Sequence, residues 1–592
     1  MTMSGIAFPS PRRRKRKQSG WRGLLYIAPA MALVTVFFVL PVLFTVWMSL
    51  HKWPLLGTPA WIGLDNYVRM VSDARFMTAL GFTAHYTVIV TVAIFAVAFP
   101  LAIFVEKQRP LVSVYRTIIF LPVVVGLASA SLLWVWLANV DSGLFAPLMQ
   151  RLGLTNGRVN LLATLDAAFL TIIAMVVWKI AGFTMIILVT GLQAIPAELT
   201  EAARIDGAGR WQRFRYLTLP LMRRTMALAL ILSVTGSHPR LRPVLHHDER
   251  GPTEPDDLRG LLHLQPVLRV LQSGLWRRPV DRAARDPGGH QRRAALAAQG
   301  GRRPPMRSRS EIRARKAMWE RLAYHGIGIG TAFFFLAPFA VTFLSSFRPN
   351  SESGTPPLPP WPRSGISFDA YRALDGFGSG IWQHMFNSLV VSIGTVLLTV
   401  AVSVLAGYGF SRYRFPFKNV LFVLVIATLM IPFQSILTPL FIILARLGLN
   451  NSLFGLMLVY VTLQLPFSVF MMRNAFDAVP KEIEEAARID GARDLRLLVR
   501  VLLPLVMPGI ATVSIFAFLN AWNEFFAALV LLSSNDNYTL PVLMTAVRAG
   551  RLGAINWGAV QAGVAVMVVP CLIVFLLLQR YYMRGLMAGA VK

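Results

Sequence analysis

Eight consecutive residues, Glu201-Ala202-Ala203-Arg204-Ile205-Asp206-Gly207-Ala208, recur without a change as Glu485-Ala486-Ala487-Arg488-Ile489-Asp490-Gly491-Ala492. In the same register Pro196 and Glu198 match Pro480 and Glu482, and Leu219-Pro220-Leu221 match Leu503-Pro504-Leu505. These residue types suit mechanical work rather than bond-making. Glu201 to Arg204, like Glu485 to Arg488, can open a short amphipathic helix whose paired alanines (Ala202-Ala203, Ala486-Ala487) let another backbone approach. Gly207 and Gly491, each after an aspartate (Asp206, Asp490), permit the left-handed turn that ends such a helix. Leu219-Pro220 and Leu503-Pro504 then read as a turn into the next helix, because proline restricts its predecessor and suits a helix's first turn. The product is a rigid helical knob in a loop, able to pass a push from another protein into the helix that follows.

A second set of polar residues stands in apolar surroundings. Asn520, Trp522, Asn523 and Glu524 cluster near one helical turn, and Lys179 lies beside Trp178 between apolar runs. Polar groups at membrane depth face a cavity or another helix. Trp522 could stack on a sugar ring, and the carboxylate and amides could line a substrate pathway. Interhelical hydrogen bonding accounts for them equally well. Lys179 is too far from a helix end to snorkel and is expected to face the bundle.

The elements that must position these residues are membrane spans. The 592 residues are 55% hydrophobic and 15% charged, with a mean hydropathy of +0.56. Several apolar runs reach the roughly 20 residues that a bilayer core demands. Lipid leaves helices as the natural solution for such runs. Copy two shows six, roughly 327–347, 387–410, 419–445, 452–473, 505–532 and 560–579. Copy one shows four, roughly 22–50, 82–105, 115–138 and 165–191, and a fifth that begins near Leu221 and stops at Gly236. The basic runs Arg12–Lys17 and Arg307–Lys316 precede the first span of each copy and mark the cytoplasmic side. Four crossings later both repeated motifs fall in the cytoplasm. An even span number makes the repeat parallel about the membrane normal rather than inverted. The expected fold is therefore an all-α polytopic membrane protein of two parallel helical modules, the first truncated. A basic tail covers 1–21, the first module 22–236 and the second 306–592. No cleavable signal peptide is expected after the basic run.

From Ser237 to Pro305 the chemistry changes. This stretch has thirteen Arg and no Lys, holds five of the nine His, and contains no Phe, Ile, Met, Asn or Tyr. Residues with AT-rich codons are missing and residues with GC-rich codons abound, as happens when a GC-rich gene is read out of frame. The fifth and sixth spans of copy one belong here by the repeat. A disordered basic linker is the rival reading. On the frame reading, Met306 is the start of a second, originally separate gene.

Several chemistries find no residues. The only cysteine, Cys571, lies in an apolar run and excludes an internal disulfide. No metal site or other cofactor is expected. No Lys follows a Gly, so no G-x-x-x-x-G-K-[ST] phosphate loop exists, and no H-E-x-x-H occurs. The net charge of +31 would suggest nucleic acid in a soluble chain. Here 237–305 offers Trp276 as its sole aromatic, a poor base-stacking platform. A secondary transporter is an alternative, but it would need its own coupling-ion site.

The repeated motif resembles the coupling-helix signature of binding-protein-dependent ABC transporter permeases. The closest likeness is to the carbohydrate-uptake branch, typified by maltose and glycerol-phosphate permease pairs, with both subunits joined in one chain. It covers nearly everything except 237–305. Asn520-Ala521-Trp522-Asn523-Glu524-Phe525, with Thr539-Leu540-Pro541 after it, is similar to the second subunit's fifth-span region. Copy one lacks that equivalent, and has Arg224 where copy two has Pro508. The resemblance implies a multi-pass protein of the bacterial cell membrane, in contact with lipid, that imports a sugar or related polar solute. It implies that the knobs dock on two ATP-binding cassette subunits, which bind the ATP, while an extracytoplasmic solute-binding protein delivers substrate. A permease of this kind is not itself an enzyme.

The frame reading has a direct check. Resequencing the DNA across codons 236–306 is expected to show a one-base correction after about Gly236 that restores the missing spans. Confirmation of the present frame, together with ATP-dependent uptake by this single chain, would establish 237–305 as a linker.

Overall fold

The computed structural model describes residues 20–54, 57–157, 159–237, 309–550 and 555–590. Arg12–Lys17, Met306 and all of 237–305 beyond Ser237 lie outside the described residues. Among those described, strands are limited to the two-residue pair His51–Lys52 and Ala60–Trp61, antiparallel with His51 opposite Trp61. Everything else regular is helix, as lipid requires of backbone groups that water cannot reach.

In copy one, α1 (Gly20–Val34) and α2 (Leu40–Ser49) run on through a π-turn as one span. Then come α3 (Ala74–Glu106), α4 (Val112–Val124), α5 (Leu127–Ala138) and α6 (Leu165–Gln193). The first motif forms α7 (Ala197–Ile205), and α8 (Arg223–Ser237) follows. Copy two repeats the order with α9 (Arg309–Ser345), α10 (Ile381–Arg412), α11 (Lys418–Ala427), α12 (Leu437–Arg446) and α13 (Leu453–Asp477). Its motif forms α14 (Lys481–Ile489), before α15 (Met507–Asn523), α16 (Phe526–Leu531), α17 (Leu540–Ala549) and α18 (Trp557–Ala590). Seven described helices are long and apolar enough to cross a membrane, and counting each bent pair as one span raises this to ten.

Three expected spans are interrupted. The third span of each copy is bent, by 96° between α4 and α5 and by 98° near Pro432 between residues 418–430 and 433–446. The fifth span of copy two ends as a helix at Asn523 rather than running to 532, because Glu524 turns out of it and starts α16. In copy one 15 residues of α8 are described, ending at Ser237, with Arg223 and Arg224 exposed at its start, and this described stretch is not among the seven.

The first helices are exchanged between copies. The α1 helix packs against α10 and α13 of copy two, while α9 packs against α4 and α5 of copy one as well as α18. One buried cluster accordingly joins Ile27, Ala30, Val34 and Phe38 to Val404, Tyr408, Val461 and Met472. Gly23 makes this approach possible. A β-carbon there would stand 2.6 Å from Phe415 Cδ1 and 2.7 Å from Tyr413 Cβ, closer than real contacts allow. A larger cluster runs from Tyr86 and Trp178 in copy one to Met567 and Phe575 in copy two, so the two copies share one core.

On the side opposite the motifs, the loop after α9 is organised by Glu352. Its carboxylate accepts from Ser364 Oγ (2.5 Å), the Ser364 and Arg363 amides (2.8 and 3.2 Å) and Arg348 Nε (3.3 Å). The Ser364 hydroxyl is the largest influence, and these donors outweigh burial to hold the carboxyl at about 2. A depressed folded-state value means that the contribution is complete above the ordinary carboxylate range and fades as pH falls toward 2. Glu352→Gln is therefore expected to lower the Tm of the purified protein at pH 7. The difference from the parent should shrink steadily below pH 4.5, as followed by thermal unfolding in detergent.

Candidate functional site

The two knobs close in the same way. In copy one the Asp206, Gly207 and Ala208 amides donate to the Ala202, Arg204 and Ala203 carbonyls at 2.9, 3.2 and 2.9 Å. In copy two the Asp490, Gly491 and Ala492 amides donate to Ala486, Arg488 and Ala487 at 3.1, 3.1 and 2.9 Å. The six-residue bond to Ala203 or Ala487 is the Schellman closure, which needs a left-handed residue before its donor. Gly207 (φ 78°) and Gly491 (φ 83°) supply it. Neither glycine has an atom near its missing β-carbon, so the demand is for φ and not for space. A π-turn follows in each copy, Phe214–Thr218 and Leu497–Leu502, and runs directly into Leu219-Pro220-Leu221 and Leu503-Pro504-Leu505. Sequence reading missed both π-turns. In copy two the chain then bends by 79° into α15.

The knobs present apolar side chains outward. Ile205 and Ile489 are 86% and 85% exposed, with Met430 (85%) the most exposed large apolar residues among those described. Glu201 and Glu485 are exposed beside them. Beneath, the copies differ. Glu484 is buried in an ion pair with Arg412 at the end of α10, and Arg412 also donates to the Val479 carbonyl at 2.9 Å. Burial pushes the Glu484 carboxyl up against the pull of Arg412. In copy one Thr200 stands in place of Glu484, and α7 has no buried residue. The second knob is thus locked to α10, while the first has no equivalent lock.

The polar residues within the spans meet at the breaks. Lys179 Nζ faces the α4–α5 break, 3.4 Å from the Pro122 carbonyl and 3.5 Å from that of Val123, with a shorter bond to Val125 O. Asn523 reaches the same break from copy two. Its Nδ2 donates to Val124 O (3.0 Å) and Leu519 O (2.8 Å), and its Oδ1 accepts from the Gly126 amide (2.8 Å). Glu524 caps α16, accepting from the amides of Phe526 (3.0 Å), Ala527 (3.0 and 3.1 Å) and Ala528 (3.3 Å), and from Tyr460 OH at 2.8 Å. Asn520 Nδ2 donates to Gln464 Oε1 at 2.7 Å. Trp522 is 3% exposed, and its indole N–H donates to the Met567 carbonyl at 3.0 Å. With Phe518 stacked at 5.8 Å, its ring faces protein rather than an open surface. Cys571 is buried in an apolar helix, as its surroundings in the sequence suggested, and its thiol lies 3.5 Å from Asn523 Oδ1. The interhelical reading of this cluster therefore describes its contacts in this conformation.

Replacing Asn523 by Ala removes a partner from two carbonyls and one amide at the seam between copies. An unsatisfied buried group costs about 1–3 kcal/mol. Asn523→Ala is expected to lower stability by about that amount, whereas Trp522→Phe, which frees one carbonyl, should cost less. Thermal unfolding of both variants in detergent measures the order.

The family described as "Binding-protein-dependent transport system inner membrane component" matches residues 98–238 and 399–586, once in each copy. The first match stops at 238, where the composition changes, and the second continues through α18. A probable ABC transporter permease protein of Pyrococcus horikoshii is 34% identical over 48% of this chain and 100% of its own length. The osmoprotective compounds uptake permease protein of Synechocystis is 32% identical over 46% of this chain and 93% of its own. The arabinooligosaccharides transport system permease protein of Halalkalibacterium halodurans is 35% identical over 44% of this chain and 92% of its own. Each is thus similar to about one copy. With the motif matched twice in a bundle of membrane-length helices, the chain belongs to the binding-protein-dependent transport system inner membrane component family and is a multi-pass ABC importer permease of two modules.

Proposed function

We propose that this permease imports a sugar or oligosaccharide, with α7 and α14 each received by one of two partner ATPase subunits. The observation that carries this reading is the pair of Schellman-closed knobs, each holding an isoleucine more than four-fifths exposed. An isoleucine held out on a rigid knob offers a partner's cleft apolar area to bury. The exposed Glu201 and Glu485 add a charge for that partner to read, and each π-turn with its Leu-Pro carries displacement into α8 or α15. ATP is bound by the partners, and the family's name supports a solute-binding protein that delivers substrate.

The sugar assignment rests on relatives such as the arabinooligosaccharide permease. The osmoprotectant permease favours a second reading, import of a small non-sugar osmolyte. Asn520, Asn523, Glu524 and Lys179 are proposed to bound the solute pathway where the copies meet, with Trp522 as the wall behind them. The division into a basic tail at 1–21, modules at 22–236 and 306–592, and an out-of-frame stretch at 237–305 is also part of this reading. The early end of the first family match supports it.

A valine at residue 491 disfavours the left-handed turn, and Glu485→Lys reverses the docking charge. Each is expected to abolish ATP-dependent uptake by the assembled importer while the protein stays in the membrane at parental level. Normal uptake by membrane-inserted Gly491→Val would refute the coupling role. Uptake driven by an ion gradient without ATPase subunits would point to a secondary transporter instead.

A further inference from the structure

The two exchanged first helices can be set in register with each other. Trp21-Arg22-Gly23-Leu24-Leu25-Tyr26 and Trp319-Glu320-Arg321-Leu322-Ala323-Tyr324 share Trp, Leu and Tyr at the same spacing. Geometry supports the alignment. The Tyr26 ring lies 5.1 Å from that of Tyr408, near the end of α10, and the Tyr324 ring lies 4.9 Å from that of Phe104, near the end of α3. Phe104 and Tyr408 each stand three residues after a Leu-Ala pair, Leu101-Ala102 and Leu405-Ala406. Each first helix therefore docks on the other copy at an equivalent place.

In this register Arg22 corresponds to Glu320, and the charge is reversed. Arg22 Nη1 is 3.1 Å from Asp494 Oδ2, just beyond the second knob, and Arg488 holds the other oxygen at 2.9 Å. The motif register places Arg210 at the position of Asp494 and Arg204 at that of Arg488. The charge is reversed here too. Two first copies brought together would set Arg22 against Arg210 and Arg204, three cations. Two second copies would set Glu320 against Asp494 with Arg488 beside it, two anions and one cation, so sign alone does not reject that pair. In the mixed contact the signs match at α1, where Arg22 meets Asp494.

We infer that the charges at residues 22 and 494, reversed at 210, form a pairing code that admits the first helix of copy one onto copy two and rejects it from another copy one. A half-exposed ion pair adds little affinity by itself. The discrimination comes from repulsion in the wrong pair, the usual form of specificity by charge. The pair sits beside the Tyr26 stack, where the first helix has just left the bundle, so a repelled helix loses its apolar contacts with it.

The test uses the full-length chain in two differently tagged, co-expressed forms. A Tyr26→Cys, Tyr408→Cys background reports the mixed contact within one chain through a short bismaleimide. A Tyr26→Cys, Phe104→Cys background reports like-with-like contact as a cross-linked dimer carrying both tags. With parental charges the first background is expected to cross-link and the second to yield almost no dimer. Adding Arg22→Glu should reduce the first signal and raise the second by about fivefold, the factor that a 1 kcal/mol change represents. Adding Asp494→Arg as well should return the first signal toward its parental level. The neutral Arg22→Gln should leave the dimer signal near background. A dimer signal unmoved by Arg22→Glu, or moved equally by Arg22→Gln, would overturn the code. Failure of Asp494→Arg to restore the first signal in protein that still unfolds cooperatively would do the same.

Discussion

A helix interrupted at membrane depth must have its freed backbone groups answered by protein, because lipid offers no partner. The α4–α5 break depends on this requirement, and two residues from different places meet it. Lys179 approaches from α6 and takes the carbonyls of Pro122, Val123 and Val125. Asn523 approaches from the other copy and takes Val124 O and the Gly126 amide. One side chain closes the break from within a module and the other closes it across the seam. At the end of α15 the same problem has a local answer, since the Glu524 carboxylate caps the short helix that follows. The breaks are thus not weak points in otherwise regular spans. At α4–α5 the break is one of the places where the modules are tied together.

Much of this organisation was legible in the sequence, for identifiable reasons. The repeat gave two modules because identity over eight residues in register with outlying prolines needs no structural help. Long apolar runs placed the spans because the bilayer imposes a length. Gly207 and Gly491 were readable as helix ends because a left-handed turn has one preferred residue, and their φ values of 78° and 83° agree. What escaped the sequence is tertiary. Nothing in the composition of α1 says that it leaves its own module, since its apolar face fits any apolar neighbour. The 96° and 98° bends were hidden because hydropathy averages over a break. The polar residues of the spans were picked out correctly as unusual, but their partners come from α4, α13 and α18, far away in the chain. The π-turns before Leu-Pro leave no compositional trace.

The two copies are alike where they meet the outside and unlike where they meet each other. The knobs match to within a few degrees at the closing glycine and expose isoleucine almost equally. Underneath, Glu484 and Arg412 fix one knob to its span, and Thr200 leaves the other without that lock. Matching knobs above and different anchorage below mean that, under the proposed coupling, equal pushes need not produce equal movements. Copy two would follow its knob closely, with the buried ion pair transmitting displacement straight into α10. Copy one would follow through the chain after α7 alone.

The exchange of first helices also has a consequence for biogenesis. Made as one continuous chain, the protein releases α1 from the ribosome long before α10 exists, with roughly 350 residues still to be made between them. At about 5–20 residues per second, that interval lasts on the order of 20 to 70 s. During it, Ile27, Val34 and Phe38 have no protein surface to cover them, and lipid must serve as their temporary solvent. Exposed Trp21, at the very start of the helix, is well suited to hold it at the headgroup level while it waits. The nascent protein therefore passes through a stage in which its earliest segment is anchored in lipid alone, and its final protein contacts wait for copy two.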